Sequence, residues 1–299
     1  MSRMNLSPSR LMLPYQTVHR GAKKESVNFT RKYLTAMLEW TGFTQVENLK
    51  DHIKLNEFFA HLLTKYKRNT VKQRQTHIKA FLRWLQDTDR LDTDVVRRLH
   101  PIKVKEEDLE ERGPYTKEEM DKLFTHLETA QRIYGMDGHE RRILYKIAAY
   151  TGLRRSELFG LEVRDFHPGD RPYINARANT TKNAKSAKQP VPKALLDELT
   201  QWCEGRDPSE PMFRYTWKYY ASDGLNADLE ACDIPKVDSQ GRHRDFHAFR
   251  VTYISRLIEK KVDIKTVQQL ARHANPLLTL KAYAKVQQDG MNSAADLLD

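Results

Sequence analysis

The stretch from Asp245 to Tyr283 carries His247, Arg250, His273 and Tyr283 in an order suited to phosphodiester chemistry, in which cations gather a phosphate and an oxygen attacks it. It opens Asp245-Phe246-His247-Ala248-Phe249-Arg250, and the step from His247 to Arg250 sets both side chains on one face of a helix. That face is polar and basic. The other carries Phe249, Tyr253, Ile254, Leu257 and Ile258 at near-helical spacing and is expected to anchor the helix in a core. After a Lys260-Lys261-Val262-Asp263 turn, Ile264, Val267, Leu270 and Ala271 form a short periodic apolar segment that ends in Arg272-His273. Asn275-Pro276 reads as the start of a last helix, because asparagine caps well and proline is tolerated at the first helical position; Tyr283 falls on that helix. Taken singly, a histidine or tyrosine on such helices is usually an ordinary core or surface residue. The grouping gains meaning from matching cations elsewhere in the chain.

Upstream, Ile143, Leu144, Ile147 and Ala148 mark a buried helix that ends at Thr151-Gly152, followed at once by Leu153-Arg154-Arg155-Ser156-Glu157-Leu158. A glycine that stops one helix just before an arginine beginning another places a guanidinium at a helix N-terminus, where backbone N–H groups favour an anion. Glu157 can hold Arg154 in position, although an Arg-x-x-Glu pair is also a common surface ion pair. Leu161-Glu162-Val163 and Tyr173-Ile174-Asn175 alternate enough to be short strands. Arg177, Lys182, Lys185 and Lys188 then lead without an acid to Val191-Pro192. Such a stretch is either a basic hairpin dipping towards a polyanion or a solvated loop.

The elements that must position these residues fall into two groups. The 299 residues suffice for two domains, and a formal net charge of +11 favours a polyanionic partner, because clustered Lys and Arg release counterions from phosphates. Residues 1–24 read as a flexible basic arm. From about Asn28 three apolar stripes follow: Phe29, Tyr33, Leu34, Met37 and Leu38; Leu55, Phe58, Phe59, Leu62 and Leu63; Val71, Ile78, Phe81, Leu82 and Leu85. They predict a small helical bundle over 25–100. Lys67, Arg68, Lys72, Thr76, Lys79 and Arg83 lie on or just before the outward face of its third helix, a face that suits a phosphate backbone or major groove and equally a solvated helix. Residues 101–114 read as a linker, and the capping-box spacing of Thr116 and Glu119 opens a second domain over 115–299. Two cysteines, Cys203 and Cys232, allow neither a disulfide framework nor a four-cysteine zinc site, and with His243 and His247 they show no recognised ligand spacing. No apolar run is long enough to span a bilayer, the basic start lacks the apolar core of a secretory signal, and a reduced, cytosolic compartment fits.

The set TGLRRSEL around Arg154, TKNAKSAKQPVP around Lys182, HAFR from His247 and ARHANPLLTLKAY ending at Tyr283 resembles the tyrosine recombinase family, the phage-type integrases and Xer-like recombinases. The resemblance covers most of the second domain and extends to the helix from Thr70 to Leu85. It implies a mainly α fold: an N-terminal helical core-binding (SAM-like) bundle plus a mostly helical catalytic domain with a small antiparallel β-sheet, the two clamping DNA. After Arg250 the family often has His-Thr, where this chain has Val251-Thr252. It implies further a site-specific recombinase acting on double-stranded DNA sites through a 3′-phosphotyrosyl link, with no cofactor. The protein would be a monomer off DNA, a homo-tetramer on synapsed DNA, and cytoplasmic and nucleoid-associated in a bacterial or phage setting.

In residue terms, Arg154 and Arg250 suit bidentate clamping of the phosphate whose non-bridging oxygens gain charge during attack. His273 adds a hydrogen bond, Tyr283 supplies the nucleophile, and His247 can help remove its proton. Lys182, chosen over Lys185 and Lys188 by resemblance, is the expected general acid for the leaving 5′ oxygen; the other two are expected on backbone phosphates. The residues after Tyr283, through Ala294-Ala295-Asp296-Leu297-Leu298, suit either a short helix that docks on a neighbouring protomer or an intramolecular cap. A type IB topoisomerase and a non-catalytic DNA-binding regulator on the same fold are the alternatives.

Overall fold

The computed structural model describes residues 24–105, 108–177, 186–214 and 216–295. Lys182 and Lys185, nearly all of the basic arm, and the chain from 296 onwards lie outside them. The chain divides into two compact units, Met1–Glu110 and Glu111–Asp299.

The first unit is built on helices α1 (Lys24–Thr41), α2 (His52–Lys65) and α3 (Arg68–Asp87). Every apolar residue of the third stripe is buried: Val71, Ile78, Phe81, Leu82 and Leu85. The first stripe runs differently from the expectation. Its inner side is Val27, Thr30, Leu34 and Met37, whereas Phe29 is exposed and stacks on Tyr33. Thr30 fits among the apolar residues because its hydroxyl donates to the Ser26 carbonyl, 3.0 Å away, one turn back. Leu99 belongs to this core, and Gln75 reaches the His100 carbonyl at 2.9 Å, so the chain stays tied to the bundle beyond its last helix.

The second unit begins with α4 (Lys117–His126), closed by the reciprocal Thr116–Glu119 capping box that the spacing predicts. It continues through α5 (Gly138–Thr151), the single turn α6 (Arg155–Leu158), a three-stranded antiparallel sheet, α7 (Lys193–Cys203), α8 (Trp217–Ala231), α9 (Ala248–Glu259), α10 (Ile264–Leu270) and α11 (Pro276–Ala295). The strands are β1 (Phe166–His167), β2 (Tyr173–Ala176) and β3 (Ala187–Pro190), with Ile174 opposite both Phe166 and Gln189. Leu161–Val163 is not a strand. The Asp165 carboxylate accepts from the Glu162 N–H at 2.9 Å and curls Val163–Asp165 into a 3-10 turn, so the sheet starts at Phe166.

Helices α5 and α9 pack together at the centre of this unit. Phe249 lies against Tyr115 and Tyr145, with ring centroids 5.0 and 5.4 Å away. The fully buried Arg141 joins α5 to α8 through both carboxylate oxygens of Asp228, at 2.9 and 3.0 Å. Before α4, residues 111–113 pair with the loop ahead of α9: His243 N–H donates to the Glu111 carbonyl at 2.7 Å, Gly113 N–H to the His243 carbonyl at 3.1 Å. Helices α10 and α11 rest on a separate small cluster, Ile254, Ile258, Val267 and Ala271, flanked by Ala282, Tyr283 and Val286. Ile264, placed by its spacing on the apolar side of α10, sits in that helix's first turn and is exposed.

Gly152 ends α5 with φ +61°, and a Cβ there would stand 2.4 Å from Cδ1 of Tyr253. Gly152→Ala is therefore expected to lose roughly 1–3 kcal/mol in thermal denaturation, from left-handed strain and the clash together. Gly42 has a similar φ of +71° with open space around it, so Gly42→Ala should lose less. Equal losses in the two variants would contradict the packing account.

Candidate active site

A cleft of about 470 Å³ opens between α9 and α11, and Arg154, His247, Arg250 and His273 all line it. Four residues from three separate stretches of sequence thus converge as their types suggest. Arg154 is the N-cap residue of α6, and Glu157, fully buried, holds it twice: Oε2 accepts from the Arg154 N–H at 2.8 Å and Oε1 from Nη1 at 3.0 Å. Arg155 instead turns to α8, where Nη1 meets the Ser222 hydroxyl at 3.0 Å. Arg250 is buried on the first turn of α9. It donates to the Gly152 carbonyl at 2.5 Å and to the Ala271 carbonyl, so the ends of α5 and α10 fix its direction.

Asp245 sets the start of α9. Its Oδ1 accepts from the His247 and Ala248 N–H groups at 2.9 and 3.2 Å, while Oδ2 is held by Arg112 at 2.7 Å. His247 stands in the cleft at that N-terminus. His273 follows α10, with Nδ1 2.9 Å from the hydroxyl of the buried Thr279. Asn275 caps α11 as its sequence implies, accepting from the Leu277 N–H at 3.0 Å.

The electrostatics follow from this crowding. Burial, then Arg154 and Arg272, push the Arg250 guanidinium down to about 9, which leaves it charged at neutral pH. Burial, then the neighbouring arginines, push His273 down to about 4. Burial, Arg250 and Arg112 also hold His247 below the usual histidine value. Burial raises the Glu157 carboxyl, but Arg272 and the Arg154 hydrogen bonds more than offset it, so its pKa ends low. The cleft therefore combines charged guanidiniums with neutral imidazoles, the states needed to bind an anion and to exchange a proton.

One expected member stands elsewhere, and another is not among the described residues. Tyr283 lies on α11, but its hydroxyl donates to the Val262 carbonyl and its ring belongs to the small apolar cluster, not to the lining of the cleft. Lys182 falls outside the described residues, as does Lys185. Lys188 lies on β3 and is exposed, its ammonium 4.7 Å from the centre of the Tyr173 ring. Arg177 closes on Glu162 and Asp165, at 2.7 and 3.1 Å, and so braces the sheet. In the first unit Arg68, Lys72, Thr76 and Arg83 are exposed, and Lys79 is half-buried. Burial and Arg83 lower the Lys79 pKa. Lys67 is paired with Glu110 at 2.6 Å.

Two further residues join the group without having been singled out in the sequence. Arg272 bonds Glu157 at 2.8 Å, and Gln189, buried on β3, donates to the Tyr253 hydroxyl at 3.0 Å and accepts from Arg272. The available signals were faint: a cation directly before His273, and a glutamine at an inward strand position, where a polar group needs a partner.

Residues 115–289 match the phage integrase family. Tyrosine recombinase XerA of Thermococcus kodakarensis (strain KOD1) is 26% identical over 291 residues, spanning 92% of this chain and 90% of its own length. Tyrosine recombinase XerC of Staphylococcus carnosus (strain TM300) is 24% identical over 281 residues, 86% of each chain. A lambda integrase dimer bound to a COC′ core site shares the fold with TM-score 0.70 at 17% identity, covering 94% of this chain and 78% of that one. The XerH site-specific recombinase in a post-cleavage complex with palindromic difH substrate gives TM-score 0.71 at 16% identity, covering 98% and 85%.

The two histidines carry a pH signature. Their pKa values are lower in the folded chain than in the unfolded one, so the unfolded chain takes up protons that the folded chain resists. Their stability contribution is complete above the ordinary histidine value of about 6.5 and is lost as the pH falls through the folded values. The DNA-free protein should melt at progressively lower temperature from about pH 7 to about pH 5, and His273→Gln should flatten that slope. An unchanged slope in the variant would mean that His273 titrates normally.

Proposed function

The chain belongs to the phage integrase family and is a tyrosine-type site-specific DNA recombinase, and we propose that it cuts and rejoins DNA with Tyr283 as nucleophile in the cleft between α9 and α11. The observation that carries this reading is the convergence of Arg154, Arg250, His247 and His273 on one cleft. Arg154 and Arg250 clamp the non-bridging oxygens of the scissile phosphate, where negative charge builds during attack. His273, neutral in the free protein, donates a further hydrogen bond. His247, also neutral, accepts the Tyr283 proton, since a phenol of ordinary pKa near 10 attacks poorly while protonated. The Tyr283 oxygen then bonds to phosphorus, the bond to the 5′ oxygen breaks, and Lys182 delivers a proton to that leaving oxygen. The product is a 3′-phosphotyrosyl link that conserves the bond, so a 5′ hydroxyl can reverse the step without an external energy source.

Because Tyr283 is seated on the Val262 carbonyl in the free chain, this chemistry needs its ring to leave the small cluster and enter the cleft. DNA binding is the natural trigger, since the Lys281 and Lys285 side chains of the same helix line the cleft, where a phosphate backbone would meet them. The 25–100 bundle serves as the core-binding domain, laying Arg68, Lys72, Thr76, Lys79 and Arg83 along the duplex, and residues 115–299 form the catalytic domain. Lys185 and Lys188 contact backbone phosphates beside Lys182. Strand exchange proceeds in a homo-tetramer on two DNA sites, in the cytoplasm. No observation favours the topoisomerase or regulator alternatives.

Tyr283→Phe should bind DNA yet fail to form a covalent adduct with a nicked suicide substrate. Arg154→Ala and Arg250→Ala should each slow adduct formation by at least on the order of a hundredfold, the usual scale for one lost transition-state donor, with much smaller effects on binding to a full site. The guanidiniums supply the positive charge at the phosphate, so the wild type should keep its rate in excess chelator. Adduct formation by Tyr283→Phe would move the nucleophile to another residue, with Tyr253 the first to examine.

A further inference from the structure

Arg272 has no part in the steps above, yet it touches an anchor of each clamp arginine. Its Nη2 lies 2.8 Å from Glu157 Oε2, on the carboxylate whose other oxygen holds Arg154. The same Nη2 is 3.3 Å from the Gly152 carbonyl, which also receives Arg250. Its Nη1 donates to Gln189 on β3, and Gln189 in turn donates to Tyr253 on α9. One planar guanidinium thus links α6, the end of α5 and the strand that follows the Lys182 segment.

Two features of the position disfavour an arginine. The backbone of Arg272 has φ +51°, a left-handed conformation that glycine adopts without steric cost and other residues do not. The side chain, 12% exposed, also adds a third cation beside Arg154 and Arg250, each of which opposes its charge or is opposed by it. Only the Glu157 carboxylate offsets that repulsion among its described ion pairs. A neutral or small residue would suit both backbone and burial better, so a purely structural role does not account for the guanidinium. What the fork supplies is geometry, since it holds three acceptors on separate elements in a fixed plane, which a lysine ammonium cannot do.

We propose that Arg272 is a positioning residue for the cleavage step, fixing the aim of Arg154 and Arg250 relative to strand β3 before DNA arrives. The proposal rests on the clamp assignment made above. It predicts a loss in the chemical step and not in DNA affinity, because a phosphate held slightly out of line reacts slowly although it is still bound.

The test uses the full chain and a nicked suicide substrate at saturating concentration, with wild type, Arg154→Ala, Arg272→Gly and Arg272→Lys in parallel. Arg272→Gly suits the backbone and should remain folded and bind DNA within a few-fold of wild type, while its rate of adduct formation falls by roughly ten- to a hundredfold. Arg272→Lys keeps a charge against Glu157 without the fork and should recover part of the rate, staying several-fold below wild type by the same argument. Wild-type rates in Arg272→Gly would overturn the proposal; should that variant fail to fold, a wild-type rate in Arg272→Lys would overturn it equally. A rate loss matched by an equal loss of folded protein in the melting curve would also count against it. If Arg154→Ala is slow and both Arg272 variants are fast, only this inference falls. If the wild type forms no adduct at all, the recombinase mechanism itself fails.

Discussion

The buried carboxylate of Glu157 is the interaction on which the site depends. Without it, Arg154 would lose the acceptors of both its backbone N–H and its guanidinium, and Arg272 would be left as an unpaired charge among like charges. Removing one partner of a buried ion pair typically costs about 3–5 kcal/mol, because the remaining charge is stranded away from water. The carboxylate stays ionised because the cations around it more than offset its burial. One negative charge among Arg154, Arg250 and Arg272 leaves the cleft with a positive excess. A phosphate diester offsets one charge of that excess, and the charge that builds on its oxygens during attack offsets more.

Around that centre the unit is uneven in its packing. The elements that aim the arginines are set in a large core, with Tyr145 and Phe249 stacked between α5 and α9 and Arg141 locked on Asp228. The helix that carries Tyr283 rests on a cluster of four buried side chains, with an ion pair from Lys285 to Glu111 at the surface. Regions with few buried contacts open at lower free energy than the core does. The division suits a reaction whose binding groups must be fixed in advance and whose nucleophile must be delivered. On the proposed mechanism it also puts the smaller cluster under the helix from which Tyr283 has to move.

What was legible in the sequence was local. The capping box at Thr116 and Glu119, the helix stop at Gly152 before Arg154, and the Asn275-Pro276 helix start each depend on residues within a few positions, and each is present. The family motifs added the order of the site residues. What was not legible depends on which of several local hydrogen bonds forms and on contacts distant in sequence. Phe29 lies outside the core because Thr30 satisfies its own hydroxyl and takes the inward position. Leu161–Val163 has a strand-like pattern, yet the Asp165 side chain curls the next residues into a turn. Arg272 gains its meaning from Glu157 and Gln189, 115 and 83 positions away. The seat of Tyr283 on Val262 is a conformational choice that residue types do not specify.

Glu157→Gln tests the central claim most directly, since it keeps the shape of the side chain and one of its two acceptor oxygens while removing its charge. The quantity to measure is the rate of covalent adduct formation on saturating nicked DNA, at a temperature where melting curves show the variant folded. The account predicts a fall of roughly ten- to a hundredfold, the rate equivalent of one lost charge-assisted hydrogen bond, with DNA still bound. A folded Glu157→Gln protein that forms the adduct at the wild-type rate would contradict it, and the arginines would then have to be aimed by something other than their shared carboxylate.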